Sequence, residues 1–278
     1  MIKYDLREYK KLTNKQYQIE KYRLQVELLK LQEDVIKHKR RIVIVFEGRD
    51  SAGKTGTIQL FSRYLIPSSM NYINLGVPSK SESKNWFKRY ERKWPKKDAD
   101  GKITFFDRSW YNRALIEPTL GYCSQRQYKN FLNKVNSWEK KQINKGIELT
   151  KFYLSIDRKT QQNRLKTRKN SPIKYWKFSE SDAKIISKYD VFTLYKEQMF
   201  EKTSTTISPW IVINANNKKI AQISAMHYIL NKIDYENKIV LEPIKSNDDI
   251  SNYTYNFEGE VFSNLTYSQY NILSKYLG

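Results

Sequence analysis

Short apolar segments alternate with helical ones along this chain, which predicts an α/β domain of three layers around a parallel sheet. A glycine-rich loop directly after the first apolar segment supports the same fold class. The five predicted strands are 42–46, 72–75, 103–106, 152–156 and 210–213. The predicted helices between them are approximately 53–65, 80–93, 111–120, 125–145, 158–168 and 180–201. In such sheets the ligand lies at the carboxyl ends of the strands.

Three regions are predicted along the chain. Residues 1–40 form a helical extension, because leucine and valine recur at helical spacing within 14–38. Residues 41–238 form the core, with a helical excursion at about 158–200 between the fourth and fifth strands. Residues 239–278 form a tail of weak pattern, whose structure the sequence leaves open.

Composition and charge limit the function classes. The 278 residues include 51 Lys and Arg against 29 Asp and Glu, giving a formal net charge of +22. Such a field attracts polyanions, namely nucleic acid, anionic lipid or inorganic polyphosphate, although a lysine-rich genome is an alternative explanation. No apolar run approaches the ~18 residues that a membrane span needs. With a single cysteine, Cys123, and no signal-peptide pattern, we expect a cytoplasmic protein.

A phosphate-binding loop is predicted at residues 47–57. The pattern G-x-x-x-x-G-K-T follows an apolar strand and precedes a helix, which is the context of a P-loop. Its glycines permit a tight turn, Lys54 supplies a cation, and Thr55 offers a hydroxyl to a magnesium ion. The expected phosphate-binding residues are Gly48, Arg49, Ser51, Ala52, Gly53, Lys54, Thr55 and Gly56.

Two aspartates are predicted to hold a metal ion beside this loop. Asp107 ends the strand 103–106, as in the Walker B arrangement, where the carboxylate binds magnesium. Asp50 lies inside the loop, where a carboxylate facing phosphates is repelled unless a metal intervenes or it takes a proton. Asp50 is therefore interpreted as a second metal ligand, or as the group that accepts a proton from the acceptor phosphate or orients it. A turn-forming role is the structural alternative.

Basic residues are concentrated between residues 158 and 177, a segment with eight cations and no acidic residue. Nucleotide kinases of this architecture have a mobile lid at this point. The cations expected to close over a polyanion are Arg164, Arg168, Lys169, Lys174 and Lys177.

Three blocks resemble the polyphosphate kinase 2 family, whose members move a phosphoryl group between inorganic polyphosphate and nucleotides. The blocks span residues 47–54, 106–122 and 172–179, and the match extends over about residues 40 to 235. Two departures are Ser171, where the family has an acidic residue, and the absence of an arginine after Pro67. The resemblance implies a P-loop kinase fold and Mg²⁺ dependence, with Mn²⁺ as a substitute. It also implies polyphosphate and a nucleotide (ADP/ATP, AMP or GDP) as substrates, and a homodimer or homotetramer.

The expected catalytic residues are Asp50, Lys54, Asp107, Arg108 and Arg113, with the two arginines facing the equatorial oxygens of the transferring group. One alternative is a thymidylate-kinase-like enzyme that uses ATP as its donor. A second is a P-loop protein that binds nucleic acid, suggested by the charge, although no motif specific for nucleic acid is present.

Overall fold

The computed structural model describes residues 1–96, 101–178, 180–244, 253–257, 260–265 and 267–277. The strands of the central sheet are β1 (Ile2–Lys3), β2 (Arg41–Gly48), β3 (Met70–Ile73), β4 (Lys102–Asp107), β5 (Ile147–Ser155) and β6 (Trp210–Asn214). All are parallel, in the order β1-β6-β5-β2-β4-β3. The predicted three-layer α/β class is confirmed.

The predicted strand number was wrong, because the sheet has six strands rather than five. The additional strand is β1, which pairs with β6 through Ile2 and Ile211. A strand of two residues, Ile2 and Lys3, is too short to show an alternation of apolar and polar positions, so no periodic signal marks it.

The helices occupy most of the predicted helical segments. They are α1 (Asn14–Lys37), α2 (Lys54–Ser62), α3 (Lys80–Lys84), α4 (Trp86–Glu91), α5 (Ile116–Leu120), α6 (Gln125–Ile143), α7 (Arg158–Lys169), α8 (Glu180–Ser187), α9 (Tyr189–Thr203), α10 (Lys218–Lys232) and α11 (Tyr267–Leu277). The predicted helix 80–93 is divided at Asn85, whose ψ of 52° is not helical. The predicted helix 180–201 is divided at Lys188, whose ψ is 26°.

Helices cover both faces of the sheet because its central strand is apolar on both sides. Ile42, Ile44 and Phe46 of β2 belong to one core cluster with side chains of α1, α2 and α10. Val43 and Val45 belong to a second cluster with side chains of α4, α6 and α9. Successive side chains of a strand point to opposite faces, so one strand contributes to both cores.

The segment predicted as a lid contains an exposed arm and a buried helix. Ile173, Tyr175 and Trp176, between α7 and α8, are 74%, 63% and 68% exposed. In contrast, Met199 and Phe200 of α9 lie in the second core cluster. We refer to residues 170–178, which connect α7 to α8, as the arm.

The tail contains an antiparallel hairpin, β7 (Tyr253–Phe257) and β8 (Glu260–Leu265), followed by α11. Among the described helices, none combines the length and the apolar character needed to cross a bilayer.

Candidate active site

The glycine-rich loop connects β2 to α2 at the carboxyl edge of the sheet. Gly48 has φ +144° and Gly53 has φ +107°, conformations that side chains disfavour. A Cβ on Gly48 would lie 2.5 Å from the carbonyl oxygen of Leu154, on the neighbouring strand β5. The loop therefore needs glycine at position 48 for both conformation and space.

We expect Gly48→Ala to destabilise the fold by at least about 2 kcal/mol, because strain and a contact with rigid backbone add together. Thermal unfolding measures this loss, and activity should fall with it because the loop shifts. Gly76→Ala is the matched control, since no atom lies within 4 Å of its added Cβ. Equal melting temperatures of the two variants would contradict the close packing of the loop on β5.

Lys54, the first residue of α2, is buried with its ammonium group turned back into the loop. Its Nζ donates hydrogen bonds to the carbonyl oxygens of Gly48, at 3.0 Å, and Arg49, at 3.1 Å. Burial, followed by the charge of Arg108, lowers the pKa of Lys54, while nearby carboxylates oppose the shift. The cation is thus enclosed by the loop and incompletely neutralised, which suits it to an anionic ligand.

Asp107 ends β4 next to the start of α2. The register pairs it with Phe46 of β2, so its carboxylate lies beside the loop that β2 leads into. Its Oδ2 accepts hydrogen bonds from the hydroxyl groups of Thr55, at 2.5 Å, and Tyr72, at 3.0 Å. Asp107 is 3% exposed, whereas Thr55 and Tyr72 are exposed, so the buried carboxylate lies beside two hydroxyl groups that solvent reaches.

Asp50 forms an ion pair with Arg108 across the mouth of the loop. Burial alone would raise the pKa of Asp50, but Arg108, Lys54 and Arg168 outweigh it and leave the pKa below its usual value. Arg108 has φ +67°, and its N–H donates to the carbonyl oxygen of Phe46 at 3.1 Å. This left-handed turn directs the Arg108 side chain back toward the loop.

A buried network fixes the turn that follows Arg108. Glu47, at the end of β2, accepts hydrogen bonds from the N–H and the hydroxyl of Ser109, both at 2.7 Å. Farther along, Glu139 accepts hydrogen bonds from Trp110 and Tyr111, and it pairs with Lys151 of β5 at 2.8 Å. These contacts join the turn to β2, α6 and β5, so the backbone next to Arg108 is held in a fixed position.

Arg49 is a predicted phosphate-binding residue whose side chain contacts α9 instead. Its guanidinium lies 3.6 Å from the ring centre of Tyr189 and 4.5 Å from that of Phe192. It donates to the carbonyl oxygen of Tyr189, at 3.1 Å, and to the hydroxyl of Thr193, at 2.5 Å. The side chain thus links the loop to α9, and only its backbone remains beside the loop interior.

Arg113 is a predicted catalytic residue whose side chain contacts residues outside the glycine-rich loop. It pairs with Glu117, donates to the hydroxyl of Ser83 at 3.1 Å, and lies 4.0 Å from the ring centre of Trp86. None of these partners belongs to the glycine-rich loop. They instead join α5 to α3 and α4.

Two of the three remaining predicted loop residues form structural hydrogen bonds, and the third has an unpaired hydroxyl group. The N–H of Ala52 donates to the carbonyl oxygen of Arg49 at 3.1 Å, and the carbonyl oxygen of Gly56 accepts from Gln222 of α10 at 3.2 Å. Ser51 has φ +65°, and its buried hydroxyl has no partner within the described residues. Ser51 therefore retains a hydroxyl group for a ligand.

The predicted lid cations are not equivalent. Arg164 donates to the carbonyl oxygens of Ser51, at 3.2 Å, and Ala215, at 2.8 Å, so it joins the glycine-rich loop to the loop after β6. Arg168 contributes to the lowered pKa of Asp50 and is thus close to the loop. Lys169 contacts the ring of Phe178, at 5.8 Å from its centre. Lys174 lies in the exposed arm, and the side chain of Lys177 lies outside the described residues.

Several contributing residues were missed by sequence reasoning. They are Glu47, Tyr72, Glu139 and Lys151. A carboxylate at the end of an apolar strand is a signal that could have indicated Glu47. Tyr72, Glu139 and Lys151 are distant in sequence from their partners and carried no local signal.

The site combines a buried lysine and a carboxylate–hydroxyl pair with a glycine-rich loop that connects a strand to a helix. This combination is characteristic of P-loop phosphotransferases. Residues 11–240 match the family model described as Polyphosphate kinase 2 (PPK2). The chain therefore belongs to the polyphosphate kinase 2 family.

Individual relatives agree with this membership. The GDP-polyphosphate phosphotransferase of Mycolicibacterium smegmatis is 44% identical over 80% of this chain and 78% of its own length. The ADP-polyphosphate phosphotransferase 1 of Rhizobium meliloti is 38% identical over 82% of this chain and 76% of its own. The crystal structure of polyphosphate kinase 2 from Arthrobacter aurescens superimposes with a TM-score of 0.71 and 26% identity, covering 78% of this chain and 80% of that one.

Proposed function

We propose that this protein transfers a phosphoryl group between inorganic polyphosphate and a nucleoside mono- or diphosphate, with ADP and GDP as the preferred acceptors. The observation that carries the proposal is the convergence of Lys54, the Asp107–Thr55 pair and the Asp50–Arg108 pair at one loop. The relatives named GDP-polyphosphate phosphotransferase and ADP-polyphosphate phosphotransferase share polyphosphate in their names, which supports it as the common substrate. Their names differ in the nucleotide, so the preferred base is to be determined by experiment.

Phosphoryl transfer needs position and charge neutralisation more than covalent chemistry by the protein. Lys54 exchanges its two bonds to loop carbonyl oxygens for bonds to phosphate oxygens of the transferring group. Arg108 lies on the rigid turn after β4 and neutralises the negative charge that spreads over the equatorial oxygens. The arm brings further cations over the polymer and excludes water, which otherwise competes as the acceptor.

The donor atoms near the loop fit a hard divalent cation. Asp107 offers a carboxylate and Thr55 a hydroxyl group 2.5 Å away, and oxygen ligands are those that Mg²⁺ prefers in proteins. Mg²⁺ is typically bound by one or two carboxylates together with substrate phosphates. We assign its ligation to Asp107 and Thr55, with Asp50 as the second carboxylate and Mn²⁺ as a substitute. When bound, the ion neutralises charge on the phosphate oxygens.

For Asp50, a lowered pKa favours charge stabilisation over proton acceptance. A carboxylate that remains ionised at neutral pH is a weak base, and efficient proton transfer needs a pKa near the working pH. We therefore assign to Asp50 the roles of orienting Arg108 and contributing to the metal site.

We expect Asp50→Asn to lower kcat by about a hundredfold, because the change removes a preorganised charge from the site while conserving its shape. Steady-state kinetics with polyphosphate and ADP measure the effect. Asp190→Asn is the matched control, since Asp190 also pairs with an arginine, Arg158, but is 85% exposed. A kcat close to that of the unmodified protein would refute the role assigned to Asp50.

A single reaction distinguishes the candidate functions. The protein is mixed with Mg²⁺, long-chain polyphosphate and one of AMP, ADP or GDP, and the phosphorylated nucleotide is quantified. Product without added ATP is expected, and it excludes the ATP-dependent kinase. If no nucleotide yields product, the proposed function is wrong. Retention of labelled RNA or DNA at physiological salt, with no turnover, would instead favour a nucleic-acid-binding protein.

We also propose that the protein acts in the cytoplasm as a homodimer or homotetramer. The single cysteine, Cys123, leaves no internal disulfide to form, which suits a reducing compartment. Light scattering coupled to size-exclusion chromatography measures the assembly, and a monomeric mass would contradict this part of the proposal.

A further inference from the structure

Arg49 belongs to the glycine-rich loop, but its side chain has no part in the phosphoryl transfer step assigned above. The side chain is 4% exposed and is directed to the first turn of α9. There its guanidinium lies 3.6 Å from the ring centre of Tyr189, and it donates to the hydroxyl of Thr193. These partners are neutral, so the contact depends on ring stacking and hydrogen bonds rather than on an ion pair.

The ring of Tyr189 also contacts the beginning of α7. The guanidinium of Arg158, the first residue of α7, lies 4.5 Å from the same ring centre. The segment from α7 through α8 therefore has both of its ends next to one side chain, because Tyr189 is the first residue of α9. A planar guanidinium packs closely on an aromatic face, and the attraction is strongest where water is excluded. Through Arg49, Tyr189 joins both ends of this segment to the glycine-rich loop.

The buried contact is the stronger of the two that Tyr189 makes. Arg158 is 50% exposed, and its ion pair with Asp190 is 85% exposed on the aspartate side, so this pair contributes little. Arg49 is enclosed by comparison. Since only the non-helical residue Lys188 separates α8 from α9, the placement of the first turn of α9 on Arg49 also determines where α8 begins to diverge from the loop.

We propose that Tyr189 is a positioning residue for phosphoryl transfer, which holds the segment from α7 through α8 against the glycine-rich loop by way of Arg49. The proposal rests on the function proposed above. The arm lies within this segment, so the place of Lys174 over the loop depends on Tyr189. An arm in the correct place excludes water from the reacting phosphoryl group, whereas a displaced arm admits it.

The predicted consequence is a change in the acceptor. In both outcomes a phosphoanhydride bond of polyphosphate breaks and the shortened polymer leaves. The phosphorus then bonds either to a terminal phosphate oxygen of ADP, giving ATP, or to the oxygen of water, giving orthophosphate after the loss of a proton. Tyr189 thus influences how phosphoryl groups are divided between the nucleotide and water.

The test measures ATP and orthophosphate together, with the full-length protein, polyphosphate, ADP and Mg²⁺. We expect Tyr189→Leu to raise the orthophosphate released per ATP formed about tenfold, because a displaced arm loses both orientation and water exclusion. Tyr189→Phe keeps the aromatic face and should retain the ratio of the unmodified protein. Leu194→Ala, on the same helix and 65% exposed, is the matched control for a change in α9.

A second variant examines the other side of the contact. Arg49→Lys keeps the charge of the loop but loses the planar group that stacks on the ring, so the ratio should rise as it does for Tyr189→Leu. The combined variant should show no larger rise than either single one, because all three break the same contact. Should Tyr189→Leu fail to fold, the ratio measured for Arg49→Lys decides the question.

Three results would overturn the role of Tyr189. An unchanged ratio for Tyr189→Leu, even with a lower melting temperature, would make it a structural residue only. An equal rise for Tyr189→Phe would assign the effect to the hydroxyl group, and effects that multiply in the combined variant would mean that the two residues act separately. Failure of the proposed function is visible independently, because the unmodified protein would then form no ATP.

Discussion

Lys54→Met should lower kcat by about a thousandfold or more, the largest effect expected from a single replacement in this protein. Its ammonium group lies inside the loop at 3.0 Å from the carbonyl oxygen of Gly48, where a phosphate oxygen can replace the carbonyl as its partner. Loss of one preorganised donor typically costs 10² to 10³ in rate, and this donor also carries a full charge. Single-turnover kinetics with polyphosphate and ADP measure the transfer step directly.

Thermal unfolding of the same variant distinguishes lost chemistry from lost folding. Since burial and Arg108 lower the pKa of Lys54, the folded state disfavours its charge relative to the unfolded chain. Methionine removes that cost, so the melting temperature should stay constant or rise while activity disappears. Lys140→Met, on the exposed surface of α6, should change neither quantity. Near-normal transfer by Lys54→Met would contradict the assignment of the loop as the phosphate site.

Local sequence pattern was sufficient to predict the central elements of the fold. Apolar strands and the spacing of Gly48, Gly53 and Lys54 indicated a P-loop, and parallel strands place Asp107 at the same edge as that loop. These predictions depended on short-range periodicity and on one rule of topology. For that reason they required no knowledge of side-chain partners.

Individual arginine roles were less predictable, because a guanidinium in a motif has several possible partners. Arg113 follows Asp107 by six residues, yet its side chain contacts Glu117, Ser83 and Trp86. Arg49 lies within the loop but stacks on Tyr189 of α9. These choices are decided by helices far away in the sequence, which the spacing of a motif does not encode.

The roles of the individual cations in residues 158–177 were equally difficult to predict from the sequence. Composition treated the cations of residues 158–177 as one lid, whereas Arg164 fixes two loops by four backbone contacts and Lys174 lies in the exposed arm. Lys218 was not predicted at all, because its proximity to Gly53 arises from the packing of α10 beside α2. Charge density in a sequence thus predicts the type of ligand better than it predicts which cation contacts it.

Asp107→Asn should lower kcat by about a hundredfold to a thousandfold and weaken the binding of Mg²⁺. The amide keeps the size of the side chain and one oxygen toward Thr55, but it loses the charge that a hard cation requires. Titration of activity with Mg²⁺ measures both effects, and saturation should shift to higher metal concentrations.

Tyr72→Phe separates metal binding from hydrogen bonding at the same oxygen. Tyr72 donates to the Oδ2 of Asp107 at 3.0 Å and supplies no charge, so its loss should reduce kcat only several-fold and leave the Mg²⁺ requirement nearly unchanged. If both variants shift the Mg²⁺ titration equally, Asp107 acts through the hydrogen-bond network rather than as a ligand. A large shift for Asp107→Asn alone assigns the ion to the carboxylate at the end of β4.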